Sequence, residues 1–482
     1  MMLPPLKYSR FLLAVCTVAA FSQAALAAEK PNILFLFADD QCFDTINALG
    51  NKEIQTPNLD RLVQNGTTFT HTYNMGGWNG AICVASRMML ISGKWLWHAK
   101  ADHPKTDQLY RRRKKMWPQL LEKAGYETFF TGKWHIRTDA TKAFTVARHI
   151  RGGMPRQTEA GYNRPIEGQP DKWSPFDMKF GGFWEGGKHW SEIVGDDAID
   201  YLNMAKKTDN PFFMYIAFNA PHDPRQSPKE YVDRYPLDKI AVPKNFAPEY
   251  PFNEAMESGR KLRDERLAPF PRTKHSVKVN RQEYYAIITH MDHQIGRILK
   301  TLEETGQADN TYIFFTADHG LACGQHGLLG KQNMFEHSVR VPMMVVGPDI
   351  PRQKKLDMPV YLQDVMASSL ELADVEKPDY VQFRSLLPLI SGERDSNYDA
   401  IYGAYVTGQR MVTVGDWKMI LYPKAKKALL YNVAKDPLEM NDLAENPEQK
   451  KTMKSLFQRL LKLQQETGDE MDLKKTFPHL AA

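Results

Sequence analysis

The sequence predicts an α/β protein built on a large mixed, mostly parallel sheet that is sandwiched by helices. Two observations lead to this fold class. Several short apolar runs have the length and the β-branched or aromatic content of strands that are buried on both faces. Segments with helical periodicity lie between these runs, as in sheets whose two faces are covered. A chain of 482 residues is long enough for one large core and a smaller domain.

Five runs are predicted as buried strands: residues 32–38, 127–131, 211–218, 311–317 and 342–346. The clearest predicted helix covers residues 282–305, where apolar side chains recur at spacings of three and four before Gly306. From about residue 398 the pattern changes to short alternating segments. A last helix is predicted to begin at Asn446-Pro447 and to stop at Gly468. We therefore expect a main domain over residues 28–390 and a smaller antiparallel sheet plus helix over residues 391–482.

The first 27 residues have the pattern of a cleaved export signal. Lys7 and Arg10 supply a positive start, residues 11–21 an apolar core, and Ala25-Leu26-Ala27 a cleavage site. No later apolar run approaches the roughly 20 residues that a membrane span needs. We expect a periplasmic or secreted protein without a membrane span.

Charge and cysteine usage exclude some classes of protein. The formal net charge is +6, and loss of the two basic residues of the signal lowers it to +4. This small charge argues against a nucleic-acid partner, since the densest basic cluster is the short run at residues 111–115. A local basic funnel for an anionic small molecule or polysaccharide stays open. Three cysteines remain, Cys42, Cys83 and Cys323. An odd, low count argues against a disulfide scaffold.

Ionisable side chains follow four of the predicted strands, and the carboxyl ends of strands are where open α/β sheets bind ligands. In chain order they are Asp39-Asp40, Lys133 with His135, His222, and Asp318-His319, with Lys331 a short loop later. The sequence therefore predicts one site assembled from all four segments.

Three of these side chains, Asp39, Asp40 and Asp318, suit a hard divalent cation such as calcium. Adjacent carboxylates after a buried strand are costly unless a cation or hydrogen-bond donors compensate them. His319 could add a nitrogen ligand, and a solvated loop is the alternative for any single aspartate. The lysines suit anionic oxygens, and the histidines can exchange protons near neutral pH.

Cys83 lies in the segment ICVASR, residues 82–87. A zinc site is excluded because no second cysteine lies at ligand spacing. A thiolate activated beside Arg87 and a buried structural cysteine are equally compatible with the local sequence. For Cys42 and Cys323 we expect packing, and for His290 and His293 a polar helix face rather than a metal pair.

Two aperiodic segments, residues 140–190 and 221–280, are predicted as long loops near the site. Loop position alone makes several side chains candidate substrate contacts. They are Trp78, Trp97, His98, Arg137, Trp184, His189 and Arg225.

Seven motifs occur in order along the chain: PNILFLFADD, CVASRMMLISGK, TGKWH, NAPHDP, FTADHG, GLLGKQNMFEHSVRVP and LYNVAKDPLEMNDLA. This ordered set resembles the type I sulfatases of the alkaline phosphatase superfamily, in the branch of iduronate-type and bacterial polysaccharide sulfatases. The resemblance implies that a dedicated enzyme converts Cys83 to formylglycine, whose hydrate is the nucleophile that attacks sulfur and forms a sulfated enzyme intermediate. It also implies one calcium ion, held by Asp39, Asp40, Asp318 and His319 together with residue 83.

The same resemblance implies roles for the remaining site residues. Arg87, Lys133 and Lys331 would hold the nucleophile and the sulfate oxygens. His135 would take the proton back when the aldehyde re-forms. His222, with Lys331, would protonate the departing alcohol.

Two positions depart from the commonest pattern of the family. Ala85 stands where many members have proline, which favours a radical-type maturation enzyme over the oxygen-dependent one. His319 stands where many members have asparagine. The histidine form occurs in the iduronate-type branch. We expect an exported, calcium-dependent sulfatase that acts on a sulfated carbohydrate. The alternatives are a phosphonate or phosphate ester hydrolase with the same modified cysteine and a catalytically silent carbohydrate-binding relative.

Overall fold

The central feature of the fold is an eight-stranded sheet in the order β11-β2-β10-β8-β1-β7-β5-β6. The computed structural model describes residues 1–2 and 30–481, so nearly all of the expected export signal lies outside the described residues. The strands of this sheet are β1 Asn32–Ala38, β2 Thr67–Phe69, β5 Glu127–Lys133, β6 Val146–Arg151, β7 Phe212–Ala217, β8 Thr311–Ala317, β10 Met343–Val346 and β11 Lys354–Leu356.

The predicted mixed, mostly parallel sheet is confirmed. The central strand β1 pairs in parallel with both β7 and β8, and β5 pairs in parallel with β6 and β7. Within the described sheet, only β10 runs antiparallel to its neighbours β2 and β8. Every residue of β1 and β7 is buried, because helices cover both faces of the sheet.

The helices form layers against this sheet. In one layer α7 contacts both α1 and α5, and in another α4 contacts α2 and α9. The helix bounds are α1 Pro57–Asn65, α2 Ile82–Ser92, α3 Leu96–Asp102, α4 Trp117–Lys123, α5 Trp190–Ala205, α6 Lys229–Val232, α7 Lys274–Glu304, α8 Glu336–Val339, α9 Asp364–Leu372, α10 Leu387–Ser391, α11 Lys450–Thr467, α12 Leu473–Thr476 and α13 Pro478–Ala481.

The C-terminal part forms a second sheet, in the order β16-β15-β14-β13-β4. Its strands are β4 Gly76–Gly77, β13 Ile401–Tyr405, β14 Gln409–Val414, β15 Trp417–Tyr422 and β16 Lys427–Asn432, and the four C-terminal ones pair antiparallel as predicted. The fifth, β4, comes from the segment just before Cys83 and pairs in parallel with β13. A third sheet joins β3 Thr72–Tyr73, β9 Arg340–Val341 and β12 Val360–Tyr361.

The last long helix follows its sequence signals closely. The Asn446 side chain accepts a hydrogen bond from the backbone N–H of Glu448, and a short 3₁₀ turn leads into α11. The helix ends before Gly468, whose φ is 78°. Residues Pro31–Ala482 form one compact unit, and the proposed boundary near residue 391 stays a prediction. Within the described residues, no helix is long and apolar enough to cross a membrane.

Candidate active site

The four predicted strand-end segments follow four neighbouring strands, in the spatial order β8, β1, β7, β5. Asp39 and Asp40 follow β1, Asp318 follows β8, and Lys133 is the last residue of β5. The pairing of β5 with β6 shifts its register at Thr131/Gly132, just before Lys133. Gly132 has a φ of +96°, and a Cβ there would lie 1.8 Å from the Ala217 carbonyl oxygen, so this irregular position within β5 requires glycine.

Asp39 is the partner of two buried cations. Its Oδ2 accepts a hydrogen bond from the Lys133 ammonium, and Arg87 Nη2 lies 3.8 Å from its Oδ1. Burial would raise the pKa of Asp39, but Lys133, His222 and Arg87 lower it to about 2. Asp39 is therefore ionised in the folded protein.

Arg87 connects the cysteine-bearing helix α2 to two of the strand ends. Its Nε donates to Asp318 Oδ2 at 3.2 Å, and its Nη2 lies 3.1 Å from the same oxygen. Its Nη1 donates to the Lys133 carbonyl at 2.8 Å, and its guanidinium lies 4.7 Å from the ring centroid of Phe37. Arg87 is fully buried, so these contacts fix its position.

Lys331 lies at the centre of the cluster. Its Nζ donates to Asp40 Oδ1 at 2.9 Å and to Oδ2 at 2.8 Å, and it lies 3.3 Å from Cys83 Sγ. It also lies 3.0 Å from His222 Nε2. His222 Nδ1 is turned away, towards the Asp223 carbonyl at 2.8 Å. Four segments that are far apart in the sequence thus meet at one ammonium group.

His319 faces Asp40 across a short gap. Its Nδ1–H donates to the Gly320 carbonyl at 2.7 Å, which leaves Nε2 pointing at Asp40 Oδ1, 3.1 Å away, and at Cys83 Sγ, 3.6 Å away. Asp318 is oriented by backbone N–H groups, because its Oδ1 accepts from Asp40 and His319. The predicted carboxylates and this histidine are therefore in one cluster.

Cys83 is almost fully buried, with 1% of its surface exposed. Burial would raise the pKa of its thiol, but the charges of Lys133 and Lys331 lower it well below the usual range. A side chain in this environment is surrounded by groups that favour an anion or an oxygen atom. These surroundings suit a polar, oxygen-bearing group at position 83 better than a packed thiol.

A cavity of about 510 Å³ opens onto the cluster. Cys83, His135, His222 and Lys331 line it. His135 is partly exposed, and burial lowers the pKa of its imidazole, so the ring is neutral near pH 7. Sequence reasoning missed the other lining residues Gly153, Met154, Leu262, Arg263, Asp264 and Gln332.

The donor set fits calcium. Asp39 Oδ1 is buried and has no hydrogen-bond partner, so a carboxylate oxygen is left for a cation. Burial would lower the pKa of His319, but Asp40 and Asp318 raise it to about 9, so its Nε2–H faces Asp40 Oδ1 at 3.1 Å. A bound cation would take the place of this proton. Oxygen-rich, buried carboxylate sites are what hard divalent cations prefer.

The candidate substrate contacts are scattered. Trp78, Trp97 and His98 line a different cavity, and Arg137 is exposed near His135. Trp184 is partly exposed and lines neither cavity. The expectation is wrong for His189 and Arg225, which are buried against protein partners: His189 stacks on Phe183, and Arg225 bonds to Asn280.

The remaining candidates have structural partners. The expectation of a polar helix face is wrong for His290, which is buried and packs its ring 4.4 Å from that of His189. Its neighbour Asp292 accepts hydrogen bonds from the backbone N–H groups of Asn58 and Leu59 at the start of α1. Packing is confirmed for Cys42 and Cys323, which are buried in one small hydrophobic cluster.

Comparisons with known proteins agree with this fold and its cluster. The sulfatase family model matches residues 31–375, and the model of the N-sulphoglucosamine sulphohydrolase C-terminal region matches residues 324–466. An arylsulfatase of Clostridium perfringens is 28% identical over 90% of this chain and 94% of its own length. An N-acetylglucosamine-6-O-sulfatase of Bacteroides thetaiotaomicron is 26% identical over 95% and 92%.

Two solved structures share the fold. A protein solved in complex with its substrate D-glucosamine-2-N,6-O-disulfate gives a TM-score of 0.71 at 24% identity, covering 92% of this chain and 99% of that one. A phosphonate monoester hydrolase of Agrobacterium radiobacter also gives 0.71, at 19% identity over 91% and 96%.

The fold, the family match and the strand-end cluster together define an enzyme of the sulfuric ester hydrolase class. The chain belongs to the sulfatase family, whose model covers most of its length.

Proposed function

We propose that this enzyme hydrolyses a sulfate ester on a sulfated carbohydrate, with formylglycine at position 83 and one calcium ion at the strand-end cluster. Bound calcium would polarise the sulfate oxygens, and a formylglycine hydrate would supply the hydroxyl nucleophile. Asp39, Asp40, Asp318 and His319 are the proposed calcium ligands, together with residue 83. The resemblance of the seven motifs and the donor set support this assignment.

The position of Cys83 carries the proposal. Its side chain lines the cavity, with Lys331 Nζ at 3.3 Å and His319 Nε2 at 3.6 Å. A substrate that enters the cavity meets residue 83 among preorganised cations. A purely packed cysteine would not need these ionisable groups around it.

Lys133, Lys331 and Arg87 are proposed to stabilise negative charge on the sulfate group. All three side chains are buried and held by carboxylates. Because these contacts exist before substrate arrives, little reorganisation is needed as charge develops on the sulfate oxygens.

The two histidines suit proton transfer. His222 presents Nε2 to the site, beside Lys331, and its Nδ1 is held by Asp223. We assign to it, together with Lys331, the donation of a proton to the departing alcohol oxygen. His135 lines the cavity with a neutral ring, and we assign to it acceptance of the proton when the aldehyde re-forms.

The carbohydrate substrate is supported by the relatives. The N-acetylglucosamine-6-O-sulfatase matches nearly the whole chain, and a cavity of about 510 Å³ has room for a sulfated monosaccharide. We further propose export, because the first 27 residues have the pattern of a signal. We also propose maturation by a radical-type enzyme, because Ala85 stands in the CVASR motif.

The test uses protein that is co-produced with a radical-type maturation enzyme. Initial rates are compared for the sulfate and the phosphonate ester of one aryl alcohol, and then for a panel of sulfated monosaccharides. We expect the sulfate ester to be hydrolysed faster, with Cys83→Ala inactive on both. A clear preference for the phosphonate would replace this proposal with the phosphonate hydrolase alternative.

A further inference from the structure

The charged segment at residues 262–267 contributes two side chains to the catalytic cavity that have no part in the chemistry proposed above. Arg263 and Asp264 both line the cavity. The Arg263 side chain is 33% exposed and the Asp264 side chain 5%. A charged pair at this place could bind the substrate, or it could hold other side chains in position. The partners of the pair decide between these two roles.

The Arg263 guanidinium is occupied by two buried carboxylates. Its Nη1 donates to Asp223 Oδ2 at 2.9 Å, and its Nη2 donates to Asp223 Oδ1 at 3.4 Å and to Asp264 Oδ1. Burial would raise the pKa of both carboxyl groups, but the charge of Arg263 lowers it, for Asp223 well below the usual range. Both carboxylates are therefore ionised, and they leave the guanidinium little free positive charge for an anionic substrate. Arg263 is placed to hold these carboxylates rather than to bind a sulfate group.

Asp223 in turn holds the ring of His222. The His222 Nδ1 donates to the Asp223 backbone carbonyl at 2.8 Å and lies 3.1 Å from the Asp223 carboxylate Oδ1. A carboxylate at one ring nitrogen fixes the orientation of the other nitrogen. Here the other nitrogen, Nε2, lies 3.0 Å from Lys331 Nζ. The direction in which His222 presents Nε2 therefore depends on Asp223, and the position of the Asp223 carboxylate depends on Arg263.

The second carboxylate, Asp264, connects Arg263 to the backbone of Lys331. Asp264 Oδ2 accepts from Gln332 Nε2 at 2.7 Å, and Gln332 Oε1 accepts from the Lys331 backbone N–H at 3.0 Å. Asp264, Gln332 and Lys331 are all buried, so these contacts are shielded from water. The contacts close a ring in the order His222, Asp223, Arg263, Asp264, Gln332 and Lys331, whose Nζ returns to His222.

We propose that Arg263 is a positioning residue for His222 and Lys331, the two side chains that donate the proton to the departing alcohol. On one side it holds Asp223, which orients the imidazole, and on the other it holds Asp264, which fixes the backbone at Lys331. This inference rests on the proposed function and extends it to a residue that acts through other residues. An ordinary structural ion pair would hold the segment at residues 262–267 but would not change how the enzyme responds to the leaving group.

The test varies the leaving group. The probes are phenyl sulfate and 4-nitrophenyl sulfate, because phenolate is the more basic leaving group and needs more help from a proton donor. Without Arg263 the buried Asp223 carboxylate loses its cation, and the His222 ring is no longer fixed. We expect Arg263→Met to lower kcat/KM by about 30-fold for phenyl sulfate but only by about threefold for 4-nitrophenyl sulfate.

Arg266→Met is the matched control, because the Arg266 side chain lies in the same segment, is 36% exposed and pairs with the exposed Glu159 instead of the ring. It should change kcat/KM by less than about twofold for either ester. Equal losses of Arg263→Met on the two esters, or no loss, would overturn the inference. If Arg263→Met does not fold, the same comparison is made with Arg263→Lys, which keeps the charge but loses the two-pronged contact with Asp223.

Failure of the proposed function is distinguishable from failure of this inference. The proposed function is wrong if the matured wild-type protein hydrolyses no sulfate ester of any kind. If the two aryl sulfates are not hydrolysed, crystal structures of the wild-type protein and of the Arg263 variant decide the inference. A His222 ring that turns away from Lys331 in the variant would support the positioning role, and an unchanged arrangement of His222 and Lys331 would reject it.

Discussion

The Nζ of Lys331 lies 3.3 Å from the Sγ of Cys83. These residues are 248 positions apart in the chain, and the contact exists because Lys331 is also held by both oxygens of Asp40. A buried ammonium that bridges a carboxylate and residue 83 is ready to bind an anionic group on that residue. The central catalytic predictions follow from this contact.

Replacing Lys331 removes that ammonium group. We expect Lys331→Met, which keeps most of the apolar stem, to lower kcat/KM by about 10³-fold, because a preorganised cation at the developing charge is lost. The measurement is the rate of sulfate release by matured protein, with a thermal melt to show that the variant is folded. Lys355→Ala, at an exposed position, serves as the control and should retain full activity. Near-normal turnover by Lys331→Met would show that Lys331 is not catalytic.

Removal of calcium should destabilise the folded protein. A bound ion at about 100 times its Kd stabilises the native state by about 3 kcal/mol. We therefore expect EGTA to lower the Tm and abolish activity, and added calcium to restore both. Asp39→Asn should retain less calcium by elemental analysis, whereas Asp233→Asn, at an exposed position, should retain the normal amount. A Tm that does not respond to EGTA, with no calcium detected in active protein, would contradict the assigned site.

The irregular strand position before Lys133, at Gly132, should not tolerate a side chain. In Gly132→Ala the new Cβ would meet the Ala217 carbonyl oxygen, so the backbone must move and carry Lys133 with it. Gly125→Ala is the control, because Gly125 has a similar φ of +94° with open space around it. We expect Gly125→Ala to cost about 1–2 kcal/mol of unfolding free energy and to keep activity. Gly132→Ala should cost more and lose activity. Equal effects of the two variants would show that the close approach does not matter.

His326 should make the protein less stable in acid. Burial lowers the pKa of this imidazole to about 4 in the folded protein, below the ordinary value of 6.5. The unfolded chain therefore binds the proton first, so the stabilising contribution is complete above pH 6.5 and is lost as the pH falls towards 4. The corresponding loss in the free energy of unfolding is about 3 kcal/mol.

His326→Asn tests this pH dependence. Its φ of 54° is in the left-handed region, which asparagine tolerates. Unfolding free energies of both proteins should be measured by denaturant titration between about pH 4 and 7. We expect the wild-type protein to lose stability relative to the variant as the pH falls. If the free energies of unfolding of the two proteins change equally with pH, protonation of His326 does not affect the stability of the fold.

Much of the fold and of the site could be predicted from the sequence, because the signals are local. Buried strands appear as apolar runs, so the predicted strand 311–317 has the same bounds as β8, and the strand ends identify Asp39 and Asp318. The long helix α7 begins eight residues earlier than predicted, at Lys274, because its first turns include polar residues such as Asn280 that are buried by tertiary packing.

The lining that the loop at Arg263 and Asp264 gives to the catalytic cavity could not be predicted in this way. Arg263 and Asp264 lie in an aperiodic charged loop, and their positions depend on contacts with distant residues. Arg263 Nη1 donates to Asp223 at 2.9 Å, and Asp264 accepts from Gln332 at 2.7 Å. The strand β4 was missed for the same reason, since two glycines give no strand signal until they pair with β13.

The most direct test of the account is mass spectrometry of the peptide that contains residue 83, from active protein of the native host. Conversion of cysteine to formylglycine replaces a sulfur and two hydrogens with one oxygen, which lowers the peptide mass by about 18 Da. We predict this mass shift, together with trapping of the aldehyde by a hydrazine reagent. An unmodified Cys83 in protein that hydrolyses sulfate esters would contradict the proposed mechanism.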